Sequence, residues 1–379
     1  MPTNIKYLCI DDQQDSTIDP LLARLESDGL IEFERWTPKN LEDQLPAIEG
    51  FIRAQKGAFG LLLDLRLDVD ADENGNRVSY RGPTLAQELR TRMAEKQIPS
   101  FPITLWSVNT KFQKSYFGDE SSHDLFDGVF GKDREVTDCP DAVAKKLSAL
   151  AVGYESLRSL NKESLISTLG LTNETSSPLY SQFLDEYSQI FTENATHEVA
   201  HFILNELLKV EGLLVSEEMI AARLGVSISD SIGEWEKVKD SFGAAKYEGP
   251  FYQAWPRWWW FRVEDWWANL PHENCELGSL TSAERVSLLN EIFNAKLVES
   301  KPILPEYSSQ FSTLCVGTSA PLDPVDGLRV VRRSSRNWQD TLYVSIHAAL
   351  ERLGRDNWRL DPLERDRLAW IKEESGSNG

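Results

Sequence analysis

The first 155 residues predict an α/β domain with a doubly wound parallel sheet, and residues 178–379 predict a mainly α-helical domain. Two observations carry the first prediction. Strand-sized apolar runs alternate with helix-sized amphipathic stretches, the signature of βαβ units. The runs are also apolar at nearly every position, as expected of strands covered on both faces. A third observation carries the second prediction: past a polar stretch the apolar pattern changes to the helical period.

The strand-sized runs are "IKYLCI", "LIEFERW", "FGLLLDL", "FPITLWS" and "DGVFGK". Between them stand segments such as "NLEDQLPAIEGFIRAQKG" and "GPTLAQELRTRMAEK", each long enough for a crossover helix. Residues 156–177 include "NKESLISTLGLTNETSS", where Ser, Thr, Asn and Gly accumulate, and are read as a linker. Helical stretches follow at about 179–210 and in "SEEMIAARLG", "SDSIGEWEKVKDSF", "LTSAERVSLLNEIFNAKL", "NWQDTLYVSIHAALERLG" and "DPLERDRLAWIKEE". Ser216 before Glu217 and Glu218, and Thr281 before Glu284, are expected N-caps.

Composition narrows the function classes. The 379 residues are 41% hydrophobic and 26% charged, and no apolar run is long enough for a membrane span. Four scattered cysteines (Cys9, Cys139, Cys275, Cys315) and a start without a basic-then-apolar leader predict a cytoplasmic protein with free thiols. A formal net charge of -20 repels phosphate backbones, so nucleic acid is not an expected partner. The basic segment "RVVRRSSR", with Arg329, Arg332, Arg333 and Arg336, is expected to pair with the protein's own carboxylates or an acidic partner.

Chemistry gathers at the ends of the runs. The first ends in Asp11 and Asp12, the third in Asp64, the fourth in Ser107 and the fifth in Lys132. In a parallel sheet these ends share one edge, where ligands bind. Three carboxylates there repel one another unless a hard cation such as Mg2+ lies among them. A hydroxyl and an ammonium opposite that ion suit the remaining oxygens of a phosphoryl group passing to a carboxylate.

This ordered set resembles the receiver domain of two-component response regulators, over residues 1 to about 150. The resemblance implies a (βα)5, flavodoxin-like and CheY-like fold. It implies Asp64 as phosphoacceptor, and Asp11, Asp12, Asp64 and the Arg66 backbone carbonyl as Mg2+ ligands. Ser107 matches the switch hydroxyl and Lys132 the phosphate-contacting lysine. A histidine kinase or phosphotransfer protein is the implied donor. Three features depart from the pattern: an acidic insertion over residues 69–81, Asp133 where proline usually follows the lysine, and Val129 where many receivers carry an aromatic residue.

Four features beyond the first domain bear on output. "HEVAH" puts His197 and His201 one helical turn apart with Glu198 between them, the zincin arrangement for a Zn2+ ion and a general base. It supports an alternative function, a phosphorylation-gated metallopeptidase. The plainer reading is a buried helix, since no third ligand is evident. "MIAARLGVSIS" resembles the start of a helix-turn-helix, yet the next segment carries Asp230, Glu234, Glu236 and Asp240 against Lys237 and Lys239, a poor face for DNA. The tryptophans of "FYQAWPRWWWFRVEDWW" are expected to form a core with a partly exposed rim, and Arg257 and Arg262 to stack on them or pair with Glu264 and Asp265. "PHENC", with His272 and Cys275, reads as a loop. The expected output is therefore protein interaction, or service as a phosphate sink, through a helical domain that does not bind DNA.

Overall fold

Five strands, β1 (Ile5–Ile10), β2 (Ile31–Trp36), β3 (Phe59–Asp64), β4 (Ile103–Ser107) and β5 (Gly128–Gly131), pair in parallel in the order β2-β1-β3-β4-β5. The computed structural model describes residues 5–69, 77–108, 124–159, 165–172, 179–271, 276–332 and 336–377. Most of the 69–81 insertion, parts of the 156–177 linker, Arg333, His272 and Cys275 lie outside those residues.

Side-chain alternation explains why the runs of β1, β3 and β4 are largely apolar, while β2 at the sheet edge carries Glu32, Glu34 and Arg35. Leu8, Ile10, Leu61, Leu63, Ile103 and Leu105 join a core with Leu45, Ile48, Phe51 and Ile52 of α2 (Leu41–Ala54) and Leu85, Leu89 and Met93 of α3 (Gly82–Ala94). The alternate residues Tyr7, Cys9, Leu62, Trp106 and Phe130 join a second core. There they meet Ile18, Leu22 and Leu25 of α1 (Asp15–Leu25) and Val143, Ala144, Leu147 and Ala151 of the long final helix. That helix is α5 (Pro140–Ser159), preceded by the one-turn α4 (Glu135–Asp138). Each such side chain contributes about 1.5–3 kcal/mol by leaving water, and a polar residue on either face of these strands would forfeit that. The receiver-type α/β fold expected for this half is therefore present.

Gly60 shows how tightly one layer is packed. A Cβ there would lie 2.4 Å from two ring carbons of Tyr7, whose hydroxyl donates to the Leu147 carbonyl at 2.8 Å. Gly60→Ala is expected to destabilise the domain by about 1–3 kcal/mol through overpacking, measured by urea unfolding. An unchanged midpoint would show that Tyr7 can move aside.

The rest is largely helical. The chain divides into two compact units, residues 1–205 with 248–255, and residues 206–247 with 256–379. The division thus falls at Asn205 and Glu206, inside a π-helical turn (Ile203–Leu208), beyond the polar stretch read as the linker. Packing accounts for this: in the first unit, Phe202 of α8 (Thr196–Phe202) stacks on Phe183 and Tyr187 of α7 (Ser181–Glu193) at 6.2 and 5.8 Å. The short α6 (Leu165–Thr168) precedes them.

The second unit contains α9 (Glu217–Leu224), α10 (Glu234–Ser241), α11 (Trp260–Ala268), α12 (Ser282–Phe293), α13 (Ile346–Leu350) and α14 (Pro362–Ser377). The expected caps form: Ser216 Oγ accepts from Met219 N at 3.2 Å, and Thr281 and Glu284 cap each other. Three two-stranded antiparallel ribbons, unanticipated from sequence, join these helices: β6 (Leu214–Val215) with β7 (Trp258–Trp259), β8 (Thr313–Leu314) with β9 (Pro321–Leu322), and β10 (Gly327–Val330) with β11 (Leu342–Ser345). Four of these strands have only two residues and leave no periodicity to read; β11 lies within "NWQDTLYVSIHAALERLG", read above as helical, where the helix is confined to Ile346–Leu350.

The tryptophans behave as expected. Trp258, Trp259 and Trp267 are buried, whereas Trp260 and Trp266 are only partly so. Their arginines do not pair as expected: Arg257 approaches Glu211 at 3.5 Å and Arg262 donates to the Ala244 carbonyl at 2.7 Å, while Arg223 covers the Trp260 ring at 4.3 Å. The nearer backbone and Glu211 acceptors win over the exposed Glu264 and Asp265.

Candidate functional site

The parallel registers set the strand ends level. Ile10 pairs with Leu63, Asp64 with Trp106, and Ser107 with Gly131, so the residues that follow or end these strands meet at one edge of the sheet. All the predicted receiver residues lie there. Asp11 and Asp64 are fully buried, Asp12 nearly so, and Ser107 and Lys132 are buried beside them.

Lys132 organises the centre. Its Nζ donates to Asp11 Oδ2 at 2.5 Å, to Asp64 Oδ1 at 2.7 Å and to Gln13 Oε1 at 3.2 Å. The backbone continues the frame: Lys132 N donates to the Ser107 carbonyl at 2.8 Å and Arg66 N to Asp64 Oδ2 at 2.8 Å. Val69 N, at the start of the acidic insertion, donates to Asp12 Oδ2 at 2.8 Å. Gly82 enters α3 so closely that a Cβ there would stand 2.3 Å from the Asp64 carbonyl oxygen.

Three carboxylates and one ammonium leave a local charge of about -2 in a water-poor place. The protonation equilibria reflect it. Burial, with Asp11 adding repulsion, pushes the Asp64 carboxyl up to about 6 even though Lys132 opposes the shift. Burial works against the Lys132 charge, but Asp64 and Asp11 outweigh it and hold the ammonium above its ordinary range.

This donor set fits Mg2+. It is all oxygen and carries surplus negative charge. Among the described residues no three acidic, imidazole or thiol side chains converge to cage a metal, and Mg2+ does not require that: it keeps several waters and takes one or two carboxylates with phosphate oxygens. The phosphoryl side also has an opening for a partner, because Ser107 Oγ is buried and makes no hydrogen bond among the described residues.

Sequence reading missed two members of this site. Gln13 directly follows the acid pair, and Trp106 directly precedes Ser107. Spacing alone does not reveal that Lys132 Nζ lies 4.7 Å from the centre of the Trp106 ring.

The residues of "HEVAH" occupy a different environment. Glu198 turns back to accept from Ala195 N at 2.9 Å, capping its own helix, so it is not aimed at a metal-bound water. His201 Nε2 lies 3.3 Å from Asp127 Oδ1. Burial, with the field of Arg90 adding to it, lowers the His197 pKa to about 4, so this ring is neutral at pH 7. These partners do not fit the Zn2+ arrangement expected from the motif.

Asp127 is the hub of that second cluster. It accepts from Arg90 Nη2 at 2.8 Å, from Tyr154 Oη at 2.6 Å and from Ile103 N at 2.8 Å. Burial alone would raise its pKa, yet the Arg90 guanidinium, the nearby His201 imidazole and the Tyr154 hydrogen bond hold it well below the usual carboxylate range. A pair of histidines on one helix turn looks like a metal motif in sequence; here one of them lies beside a buried aspartate.

Several of the basic side chains of the second unit are paired internally. Lys237 meets Glu234 at 2.9 Å, and Lys239 meets Glu217 at 3.0 Å and Glu236 at 2.7 Å. Arg329 meets Glu364 at 3.2 Å and Arg336 approaches Glu206 at 3.8 Å.

No protein-family model matches the chain, and no curated protein matches it by sequence. A solved structure of the RcsB response regulator of Salmonella typhimurium, described for its conformational dynamism for DNA interaction, is similar at 15% identity over 53% of this chain and 98% of that one, with a TM-score of 0.25. At that score the likeness carries no weight for function, and the strand order with its registers is what identifies the receiver-type fold. No described helix is long and apolar enough to cross a membrane.

Proposed function

We propose that the sheet domain is a Mg2+-dependent phosphoacceptor of the receiver type, and that the chain responds by protein contact, or by holding phosphate as a sink, without binding DNA. One observation carries this reading: Lys132 is buried against both Asp11 and Asp64, at the sheet edge that also holds the Ser107 hydroxyl, which makes no hydrogen bond among the described residues.

An ionised Asp64 oxygen attacks the phosphorus of a phosphohistidine on a partner kinase or phosphotransfer protein. The P–O bond forms as the P–N bond breaks, and the donor imidazole leaves with the electron pair. Ser107 Oγ and Lys132 Nζ are placed to donate to oxygens of the transferred group, where charge builds in the transition state. Asp11, Asp12, Asp64 and the Arg66 carbonyl would hold Mg2+, which would supply the remaining charge neutralisation. Transfer draws Lys132 from a carboxylate to a phosphoryl oxygen, the kind of local change that can reshape a surface.

The test is labelling of purified protein by radioactive acetyl phosphate. Label is expected on wild type with Mg2+, little of it with chelator, and none on Asp64→Asn; equal labelling of that variant would end the assignment. For the output, internal pairing of Lys237, Lys239, Arg329 and Arg336 supports the absence of DNA binding. Fluorescence anisotropy with mixed-sequence duplex DNA is expected to show no binding in either phosphorylation state. Binding that weakens steeply with salt would overturn that part.

A further inference from the structure

The ammonium of Lys132 has three oxygen neighbours and one neighbour of another kind. Its fourth contact is the face of the Trp106 indole, 4.7 Å from Nζ to the ring centre. Trp106 is fully buried in the core that also contains Cys9, Leu62 and Phe130, and it stands opposite Phe130 in the β4–β5 register. The aliphatic residues that fill the other strand positions would serve the core equally well there. An indole adds a negative π face beneath a buried cation, and that attraction strengthens where water is excluded.

We propose that Trp106 is a positioning residue for phosphoryl transfer, holding the Lys132 ammonium at the height where it spans Asp11 and Asp64. This rests on the phosphoacceptor reading above. The physical need is specific. A lysine stem has four rotatable bonds, and the ammonium is attracted to any of several oxygens. The two carboxylates and Gln13 draw it through hydrogen bonds. The ring adds a partner that attracts the charge without offering a hydrogen bond. The ammonium therefore keeps its donors directed at the carboxylate that accepts phosphate, and it can turn to a phosphoryl oxygen without leaving the ring.

The experiment measures acetyl phosphate labelling rates in the full chain for wild type, Trp106→Phe, Trp106→Leu, Lys132→Met and the Trp106→Leu/Lys132→Met pair. Trp106→Leu is expected to lower the saturated rate about tenfold with the acetyl phosphate KM nearly unchanged. Trp106→Phe, which keeps a π face, is expected to stay within about threefold of wild type. In the Lys132→Met background, Trp106→Leu is expected to do nothing further, since its effect passes through the missing ammonium.

Equal losses in Trp106→Leu and Trp106→Phe, or a Trp106→Leu loss of the same size in both backgrounds, would overturn the inference and leave Trp106 as core packing. Should Trp106→Leu not melt cooperatively, Trp106→Met takes its place under the same comparison. Trp106→Phe also stands alone, because a folded Phe variant with a tenfold loss would contradict the proposal. Asp64→Asn runs in parallel: its labelling at the wild-type rate would sink the phosphoacceptor reading, whereas a silent Asp64→Asn beside an unimpaired Trp106→Leu would sink only the role of Trp106.

Discussion

Asp64→Asn is expected to abolish Mg2+-dependent labelling and, in metal-free buffer at pH 7.5, to make the protein more stable by about 1–3 kcal/mol. The second effect follows from the first residue's burial. Its carboxyl titrates near 6 in the fold against an ordinary 3.8, so the folded state binds its proton more tightly than the unfolded chain does. The resulting stability is fully present below about pH 4 and is lost as pH rises through about 6. A neutral amide avoids that loss, and the upper figure shrinks because Asn also gives up the ion pair with Lys132.

His197 works in the opposite direction over the same window. Its folded pKa of about 4 lies below the ordinary 6.5, so its contribution is present above about 6.5 and fades as pH falls toward 4. In wild type the two slopes oppose each other. Removing Asp64 should leave the histidine slope exposed, so urea midpoints of Asp64→Asn should rise between pH 4.5 and 7 more steeply than those of wild type. Parallel curves would mean that Asp64 is not the buried, reluctantly ionised group described above. Added Mg2+ should stabilise wild type and help Asp12→Asn much less, measured as a shift in thermal midpoint.

Asp127→Ala is expected to be the most destabilising single substitution in the first unit, at about 3–5 kcal/mol, because it strands a buried guanidinium. Among the described residues Arg90 would retain only neutral acceptors, the Leu125 carbonyl at 3.0 Å, the Phe101 carbonyl at 3.2 Å, Met93 Sδ at 3.4 Å and Tyr154 Oη at 3.5 Å. Ile103 N and Tyr154 Oη would lose their acceptor as well. His201→Ala removes a neighbour at the edge of the cluster and should cost about 1 kcal/mol. Because the Asp127 pKa is depressed, its contribution persists above the ordinary carboxylate range and is lost only in strong acid. The Asp127→Ala deficit should therefore hardly change between pH 5 and 8. A loss below 1 kcal/mol in urea unfolding would show that Arg90 finds other compensation.

How much of this was legible beforehand depends on whether a feature is local. The strand runs, Asp11, Asp12, Asp64, Ser107 and Lys132 could be read because a parallel strand covered on both faces is apolar at nearly every position and its polar end residue stands out. Ser216 and Thr281 could be read because a cap bonds within three residues. The two-residue ribbons could not, having no period to display. Nor could the unit boundary: polar composition pointed to 156–177, while Phe183, Tyr187 and Phe202 carry the first unit on to Asn205.

The "HEVAH" helix marks the same division most sharply. Sequence by itself determined the grouping of Asp11, Asp12, Asp64, Ser107 and Lys132, since the ends of the strands in a parallel sheet share an edge whatever else the chain does. It also determined that His197 and His201 lie one turn apart on a helix. Only the tertiary structure decided what that pair meets, because the residue opposite His201 is Asp127, 74 positions earlier in the chain, already committed to Arg90 and Tyr154. The tertiary structure likewise decided that Lys132 rests on an indole. Spacing along one helix or strand sets which side chains share a face; the partner across the gap comes from another element, and its identity is a property of packing alone.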